Sequence, residues 1–271
     1  MNDGVKNYYS DLDIANRALA ALGPGVEITP DTLASMDHFH GRGLEATREL
    51  ADLLDPKRGE HLLDFGCGIG GPARWLAAHF GCRVTGIDLT AEYCAAAIAL
   101  TEATGQVDDV CIMHGNVMET PFEDDTFDRA YSQNVVMNLD DKQRFYREAF
   151  RVLKSGGVLA LSNIGEGPNG APYYPTPWAE SAETSFLSTL EETIGDLLAC
   201  GFEIQFIEDT MPRVRPLVTE TLKRLETEGF PDRNVAVVLG EHFKALQFNS
   251  IRSIRDGRTT LIEVLVRKPY Q

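Results

Sequence analysis

From position 61 the chain alternates short apolar runs with stretches of helical period. "HLLDFG", "RVTGIDLT", "DVCIMHGN", "FDRAYSQN" and "VLALSNI" are five strand candidates. "PARWLAAHFG", "AEYCAAAIALTEATG" and "DKQRFYREAFRVLKSGG" separate them with apolar positions three and four apart. Strands alternating with helices predict an α/β fold with a doubly wound parallel sheet. Residues 10 to 54 read as helical, with a break at Gly41–Gly43. After the fifth strand "GEGPNGAPYYPTPWAE" interrupts the rhythm, which a helix over about 184–200 and the strand "FEIQFIEDT" resume. Residues 213 to 254 read as helical with no intervening strand, and "TTLIEVLVRKP" is a last strand. A helical insert before a final strand would cover the C-terminal edge of the sheet, where open α/β folds bind ligands.

One stretch is chemically unusual. "LLDFGCGIGGPARWLA" places four glycines (Gly66, Gly68, Gly70, Gly71) in six positions between a strand and a helix. Each glycine costs about 0.5–1 kcal/mol relative to alanine inside an element, so the cluster implies a sharp turn or a close approach. Strand, glycine turn, helix leaves backbone N–H groups free to meet a ligand. The plainer reading is tight strand–helix packing. Gly66, Gly68 and Gly71 fit G-x-G-x-x-G, the dinucleotide pattern. Asp64, Gly66, Gly68 and Gly70 fit D-x-G-x-G-x-G, which resembles the loop of S-adenosylmethionine methyltransferases. Asp64 separates the two readings: it would repel the pyrophosphate of NAD but suits a ligand with a cationic ammonium and sulfonium. Asp88, at the end of "RVTGIDLT", can accept from ribose hydroxyls of either cofactor.

Further motifs extend the resemblance over residues 60–165. "PFEDDTFDRAYS" is similar to the family's approach to its fourth strand, and "RVLKSGG" to its turn into the fifth. The chain resembles the class I, Rossmann-like methyltransferases, and within them a small-molecule branch that includes the sarcosine and dimethylglycine N-methyltransferases. That implies a seven-stranded, mostly parallel sheet, an N-terminal helical lid (1–55), a cofactor-binding core (56–165), an acceptor cover with the helical insert (166–258) and a C-terminal strand (259–271). It implies S-adenosylmethionine as cofactor and S-adenosylhomocysteine as product. The cofactor residues carried over are Tyr9, His40, Asp64, Gly66, Cys67, Gly68, Asp88, Leu89, Asn116, Val117, Ser132 and Gln133. Asn116 stands where the family often has an aspartate on the adenine amino group; its amide oxygen can still accept.

Methyl transfer from a sulfonium needs alignment and desolvation more than a base, so the absence of a triad is no obstacle. Acceptor candidates lie in three places. Tyr8 and Tyr9 resemble a tyrosine-bearing lid. "MDHFHGRGLEAT" resembles a segment in which the second histidine, His40, is functional, while His38 replaces a glutamine. Asp37, His38 and His40 lack a clear fourth metal ligand, and no metal is expected. "YSQNVVMNLDD" follows the fourth strand. There Asn134 replaces an acid and Asn138 a histidine of the family pattern, so the groups that would hold and deprotonate a cationic amine are gone. Two neutral amides suit a hydrogen-bonding acceptor. His40, Asn134 and Asn138 are the catalytic candidates; Tyr8, Asn134, Asn138, Tyr174 and Trp178 are the acceptor-binding ones. Tyr173, Tyr174 and Trp178 can pack against a ligand or fill core. Arg213 and Arg215 could clasp a carboxylate but suit the surface better.

Bulk properties narrow the partners. The 271 residues carry a formal charge of −16, 43% hydrophobic and 24% charged residues. Such acidity argues against a nucleic-acid surface. The polar opening "MNDGVKNYYSDLD", the absence of an apolar run of membrane length and an odd set of five cysteines without a CxxC pair predict a reduced cytoplasmic protein, off the membrane. A homodimer is the candidate assembly. The expectation is a methyltransferase acting on nitrogen or oxygen of a small molecule. Its rivals are a cofactor-binding protein without transfer activity and an NAD-dependent oxidoreductase.

Overall fold

The computed structural model describes residues 14–270. Three helices come first: α1 (Ile14–Leu22), α2 (Pro30–Asp37) and α3 (Leu44–Leu54). α2 starts where the sequence allows it, with Pro30 at the first turn and a reciprocal capping box between Thr29 and Thr32. The alternating section gives β1 (His61–Phe65), α4 (Gly71–Phe80), β2 (Arg83–Asp88), α5 (Ala91–Ala103), β3 (Val110–His114), β4 (Phe127–Gln133), α6 (Lys142–Val152) and β5 (Leu153–Glu166). Then follow α7 (Leu190–Ala199), β6 (Glu203–Asp209), α8 (Met211–Glu228), α9 (Val235–Leu239), α10 (His242–Arg255) and β7 (Thr259–Arg267). α7 begins later than its sequence pattern implies, because Thr189 and Glu192 form a capping box that fixes the first turn there.

The seven strands form one sheet in the order β3-β2-β1-β4-β5-β7-β6. β1 to β5 run parallel, and β7 inserts antiparallel between β5 and β6. The order reverses at β1, between β2 and β4, and folds of this kind bind ligands in the crevice beyond the C-terminal ends of the strands at that point. One face packs under α6 and α7, with Leu63, Phe65, Phe145 and Leu159 fully buried. The other packs under α3 and α4 through Leu54, Leu62, Leu76 and Tyr131. Helices on both faces of a largely parallel sheet are what its near-continuous apolar strands require.

A second apolar cluster joins the two ends of the chain over the first. Ile14 and Ala18 of α1, Leu33 and Met36 of α2, Tyr93 and Leu100 of α5, and Val238, Leu239 and Phe243 of α9 and α10 pack together. The helical insert is therefore a cap resting on the N-terminal helices. α8 and α10 pair through Val214, Val218 and Ile254. Ion pairs tie the cap to the sheet: Arg213 of α8 reaches Glu49 of α3 at 3.2 Å and Glu263 of β7 at 3.7 Å, and Arg42 holds the same Glu49 at 2.6 Å. Among the described residues no helix is long and apolar enough to cross a membrane.

Candidate functional site

The glycine loop runs from the end of β1 into α4. Gly66, Gly68 and Gly70 have φ of 79°, 53° and 76°, a left-handed geometry that side chains disfavour. Their surroundings differ. A Cβ on Gly66 would collide with the Val135 side chain, one on Gly70 would lie 2.8 Å from Arg74, and one on Gly71 would strike the Asp37 backbone. Those three positions are required by packing inside the protein. Gly68 is the open one, with only the Phe39 ring, at 3.8 Å, near its missing side chain. The loop is held by hydrogen bonds from Gly66 and Cys67 N–H to the Ile87 carbonyl at 2.8 and 3.1 Å. The Cys67 thiol points inward against Gly86, and burial pushes it up, so this residue offers a ligand its backbone alone.

Two carboxylates flank the loop. Asp64 is 2% exposed, and its Oδ2 has no hydrogen-bond partner. Burial pushes the carboxyl up to about 8; the adjacent Tyr131 hydroxyl opposes the rise and the charge of Asp88 adds to it. The Tyr131 hydroxyl is itself buried outside full hydrogen-bond geometry. A cation in this place would restore the charge and satisfy the oxygen. Asp88 accepts from Gly68 N–H and from Thr90 N–H, both at 2.9 Å, so it anchors the loop while each oxygen keeps a free lone pair. Burial raises this carboxyl too, against the two backbone bonds. Leu89 follows with an exposed side chain, a surface suited to the face of a base.

The next candidates are partly engaged. Asn116 Oδ1 accepts from Met118 N–H at 3.0 Å, which leaves one lone pair and the amide donors. Val117 is buried in the core. Ser132 is fully buried and donates its hydroxyl to the Phe65 carbonyl at 3.0 Å, clamping β4 to β1. Its side chain does not border the crevice as its place in the sequence implies. Gln133, at the end of β4, accepts from the Thr47 hydroxyl at 3.3 Å. His40 Nε2 lies 3.0 Å from both the Gly43 carbonyl and the Thr47 hydroxyl. A carbonyl can only accept, so Nε2 carries the proton and Nδ1 the lone pair. Burial, then the charge of neighbouring His38, pulls His40 down to about 3, a neutral imidazole at physiological pH. His40 thus acts as a hydrogen-bonding group against α3, whose Thr47 in turn reaches Gln133 of β4.

The acceptor candidates separate. Asn134 is half-buried in a left-handed conformation, φ 56°, which asparagine tolerates, and its N–H donates to the Ser162 carbonyl at 2.8 Å. Asn138 does not join it. The single turn Val136–Asn138 leaves that side chain exposed, donating to the Val135 carbonyl at 3.2 Å. Trp178 is no open pocket wall either. It is 8% exposed, packs with Met137, Ile164 and Ala179, and gives its indole N–H to Ser185 Oγ at 3.0 Å. Tyr174 lies half-buried against the same cluster. Tyr173 is sandwiched between the guanidinium groups of Arg252 and Arg258, 4.4 and 4.2 Å from its ring centre. Tyr8 and Tyr9 lie outside the described residues.

Sequence reasoning missed a polar network beside the loop. Arg74 of α4 is fully buried and pairs with Asp37 at 2.9 Å, and Asp37 also binds His38 Nδ1 at 2.8 Å. Burial pushes Asp37 up, but the hydrogen bond from His38 and the charge of Arg74 outweigh it and keep the carboxyl below its usual range. The available signal was Arg74 itself, a cation inside an apolar helical face, which demands a buried partner.

The family of proteins described as a methyltransferase domain matches residues 63–161. Methyltransferase GfsG of Streptomyces halstedii is 32% identical over 160 residues, 59% of this chain and 57% of that protein. A 24-methylenesterol C-methyltransferase 2 of Oryza sativa subsp. japonica is 44% identical over 119 residues, 42% of this chain and 32% of that one. The chain therefore spans about half or less of the length of these curated relatives. Among solved structures, the [4+2]-cyclase SpnF superposes with a TM-score of 0.69 at 24% identity, covering 96% of this chain and 94% of that one. Residues 63–161 thus match the methyltransferase domain family, and the β3-β2-β1-β4-β5-β7-β6 sheet with its glycine loop is the class I, Rossmann-like methyltransferase fold.

Proposed function

We propose that the chain binds S-adenosylmethionine at the glycine loop and transfers its methyl group to nitrogen or oxygen of a small molecule. The observation that carries this reading is the buried, unpartnered Oδ2 of Asp64 beside the open Gly68. A buried polar oxygen without a partner is unfavourable, and a cationic ligand relieves it. Asp88 and Leu89 lie at the end of the neighbouring strand, one able to accept from ribose hydroxyls and the other able to cover an adenine face. Asn116 keeps a free lone pair for an exocyclic amine. An anionic pyrophosphate would meet Asp64 instead, which disfavours NAD.

When bound, the cofactor supplies an already activated methyl on its sulfonium. The contribution of the protein is then to align and to exclude water. The cap of α8, α9 and α10 packs on the N-terminal helices, the Arg213–Glu49 and Arg213–Glu263 pairs tie it to α3 and β7, and its proposed role is to cover the bound cofactor. Asn134, at the turn out of β4, is the residue proposed to face the acceptor, with a neutral amide that can donate and accept. Asn138 drops out of that role because its amide serves its own turn.

The test is calorimetric titration with S-adenosylhomocysteine and, separately, with NADH. Micromolar binding of the first alone supports the reading; binding of NADH instead overturns it. A second reading, a methyltransferase fold without methyl transfer, is favoured by the likeness to a [4+2]-cyclase over 96% of the chain. Tight S-adenosylhomocysteine binding together with no methyl transfer from labelled cofactor to a panel of small amines, phenols and alcohols would select it.

A further inference from the structure

Where α2 ends, a buried pair lies against the glycine loop that the proposed function leaves unused. Asp37 is 2% exposed and His38 1%. His38 Nδ1 lies 2.8 Å from Asp37 Oδ1, and Asp37 Oδ2 accepts from Arg74 at 2.9 Å. A carboxylate oxygen facing an imidazole nitrogen accepts its proton, so Nδ1 is the donor. In the neutral imidazole the other nitrogen, Nε2, then carries a lone pair. It is buried and has no hydrogen-bond partner. Rotating the ring cannot help it, because that would break the bond to Asp37.

Both chain neighbours of His38 touch the glycine loop. Phe39 approaches the side-chain direction of Gly68 to 3.8 Å, and the Asp37 backbone presses on Gly71. His38 is thus held between two contacts with the glycine loop. That loop is where the proposed function puts the methionine end of the cofactor. Three charged groups are found at that end. The carboxylate and the sulfonium carry no N–H or O–H. Only the α-ammonium can donate, and it has three protons to give, so it can serve a histidine and Asp64 together.

We propose that His38, oriented by Asp37, accepts a hydrogen bond at Nε2 from the α-ammonium of the cofactor. The inference rests on the proposed function and concerns His38; His40 is held through its own Nε2 by Gly43 and Thr47. Arg74 acts at one remove: by sharing Asp37 it keeps that carboxyl ionised and the imidazole fixed.

The experiment pairs a change in the protein with a change in the ligand. Wild type, H38F and H38Q are titrated calorimetrically with S-adenosylhomocysteine and with 5′-S-(3-carboxypropyl)-5′-thioadenosine, which lacks only the α-amino group. Wild type should prefer the amino ligand by about ten- to a hundredfold, the range for a hydrogen bond to a charged group. H38F, which has no acceptor, should lose about tenfold of that preference. H38Q, whose amide oxygen accepts, should keep most of it. If H38F melts below the titration temperature, H38M is read in its place. An unchanged preference in the apolar variant overturns the proposal, as does equal weakening of both ligands, the sign that the ring merely packs α2 on the loop or binds a buried water. If wild type fails to bind S-adenosylhomocysteine, the proposed function itself falls; if it binds without regard to the amino group, only the His38 inference does.

Discussion

Replacing Asp64 by asparagine separates the contribution of this residue to folding from its contribution to binding. The buried carboxyl is pushed from 3.8 to about 8, so the folded chain holds a proton that the unfolded chain has released over that interval. A carboxyl with a raised folded pKa contributes stability that is full below about 3.8 and is lost as pH rises through about 8. Each unit of pH in the window removes about 1.4 kcal/mol, so moving from about pH 5 to about pH 7 removes on the order of 3 kcal/mol. The amide of D64N has no proton to lose, and every other titrating group is common to both proteins. Urea unfolding of wild type and D64N at the two pH values should therefore show wild type losing about 3 kcal/mol more than the variant. At the same time D64N should bind S-adenosylhomocysteine more weakly, by about tenfold or more, since it cannot ionise toward a cation. Parallel pH dependence of the two proteins would refute the reasoning, because it would mean that Asp64 is already ionised in the free fold.

Three further substitutions test neighbouring parts of the site, and a fourth serves as their control. D88A removes the anchor of Gly68 and the acceptor for ribose, and should weaken S-adenosylhomocysteine by more than about 1 kcal/mol in calorimetry. R74M leaves the Asp37 carboxylate buried without its cation, and urea unfolding should report a loss of about 3–5 kcal/mol. G66A forces a side chain into a left-handed position against Val135, so its thermal unfolding should be lower than wild type by more than an exposed loop change produces. N138A, in contrast, removes an exposed amide and should stay within about 0.5 kcal/mol of wild type.

The sequence was most legible where local pattern and tertiary outcome coincide. The strand and helix candidates from 61 to 165 became β1 to β5 with α4 to α6, because the apolar runs of β1, β2, β4 and β5 are buried within the sheet, while β3 lies at its edge and is more open. The glycine loop was legible as a turn, but its glycines divide in a way no spacing reveals. Gly66, Gly70 and Gly71 make room for Val135, Arg74 and Asp37, which arrive from other segments. For the same reason Asp64 and Asp88 could be named as site residues, yet only Asp64 turned out to have a polar atom unsatisfied. Asn138 and Trp178 find partners in a local turn and in a serine seven residues away, which their place in a motif does not reveal. The Asp37–Arg74 pair joins positions 37 apart and left only an out-of-place arginine as its trace.

Sorting the crevice by satisfaction gives a sharper picture than sorting it by residue type. Ser132, Asn138, Trp178 and the His40 Nε2–H have their partners within the protein, so a ligand would have to break a bond to recruit them. Nine buried side-chain polar atoms among the described residues have none, and four of them belong to His38, Asp64, Arg74 and Tyr131, around the glycine loop and the end of β1. An unmade buried hydrogen bond costs about 1–3 kcal/mol, so a fold that gathers several in one region holds back stability there. A ligand that donates to Nε2 of His38 and Oδ2 of Asp64 recovers some of that free energy on binding. The two atoms also set its chemistry: an imidazole nitrogen proposed to accept and a carboxyl that ionises toward a cation suit a donor with positive charge, and a phosphate or a second carboxylate would gain nothing from Asp64. Affinity for the cationic end of the cofactor is in this way built into the ligand-free chain as buried polar atoms without partners.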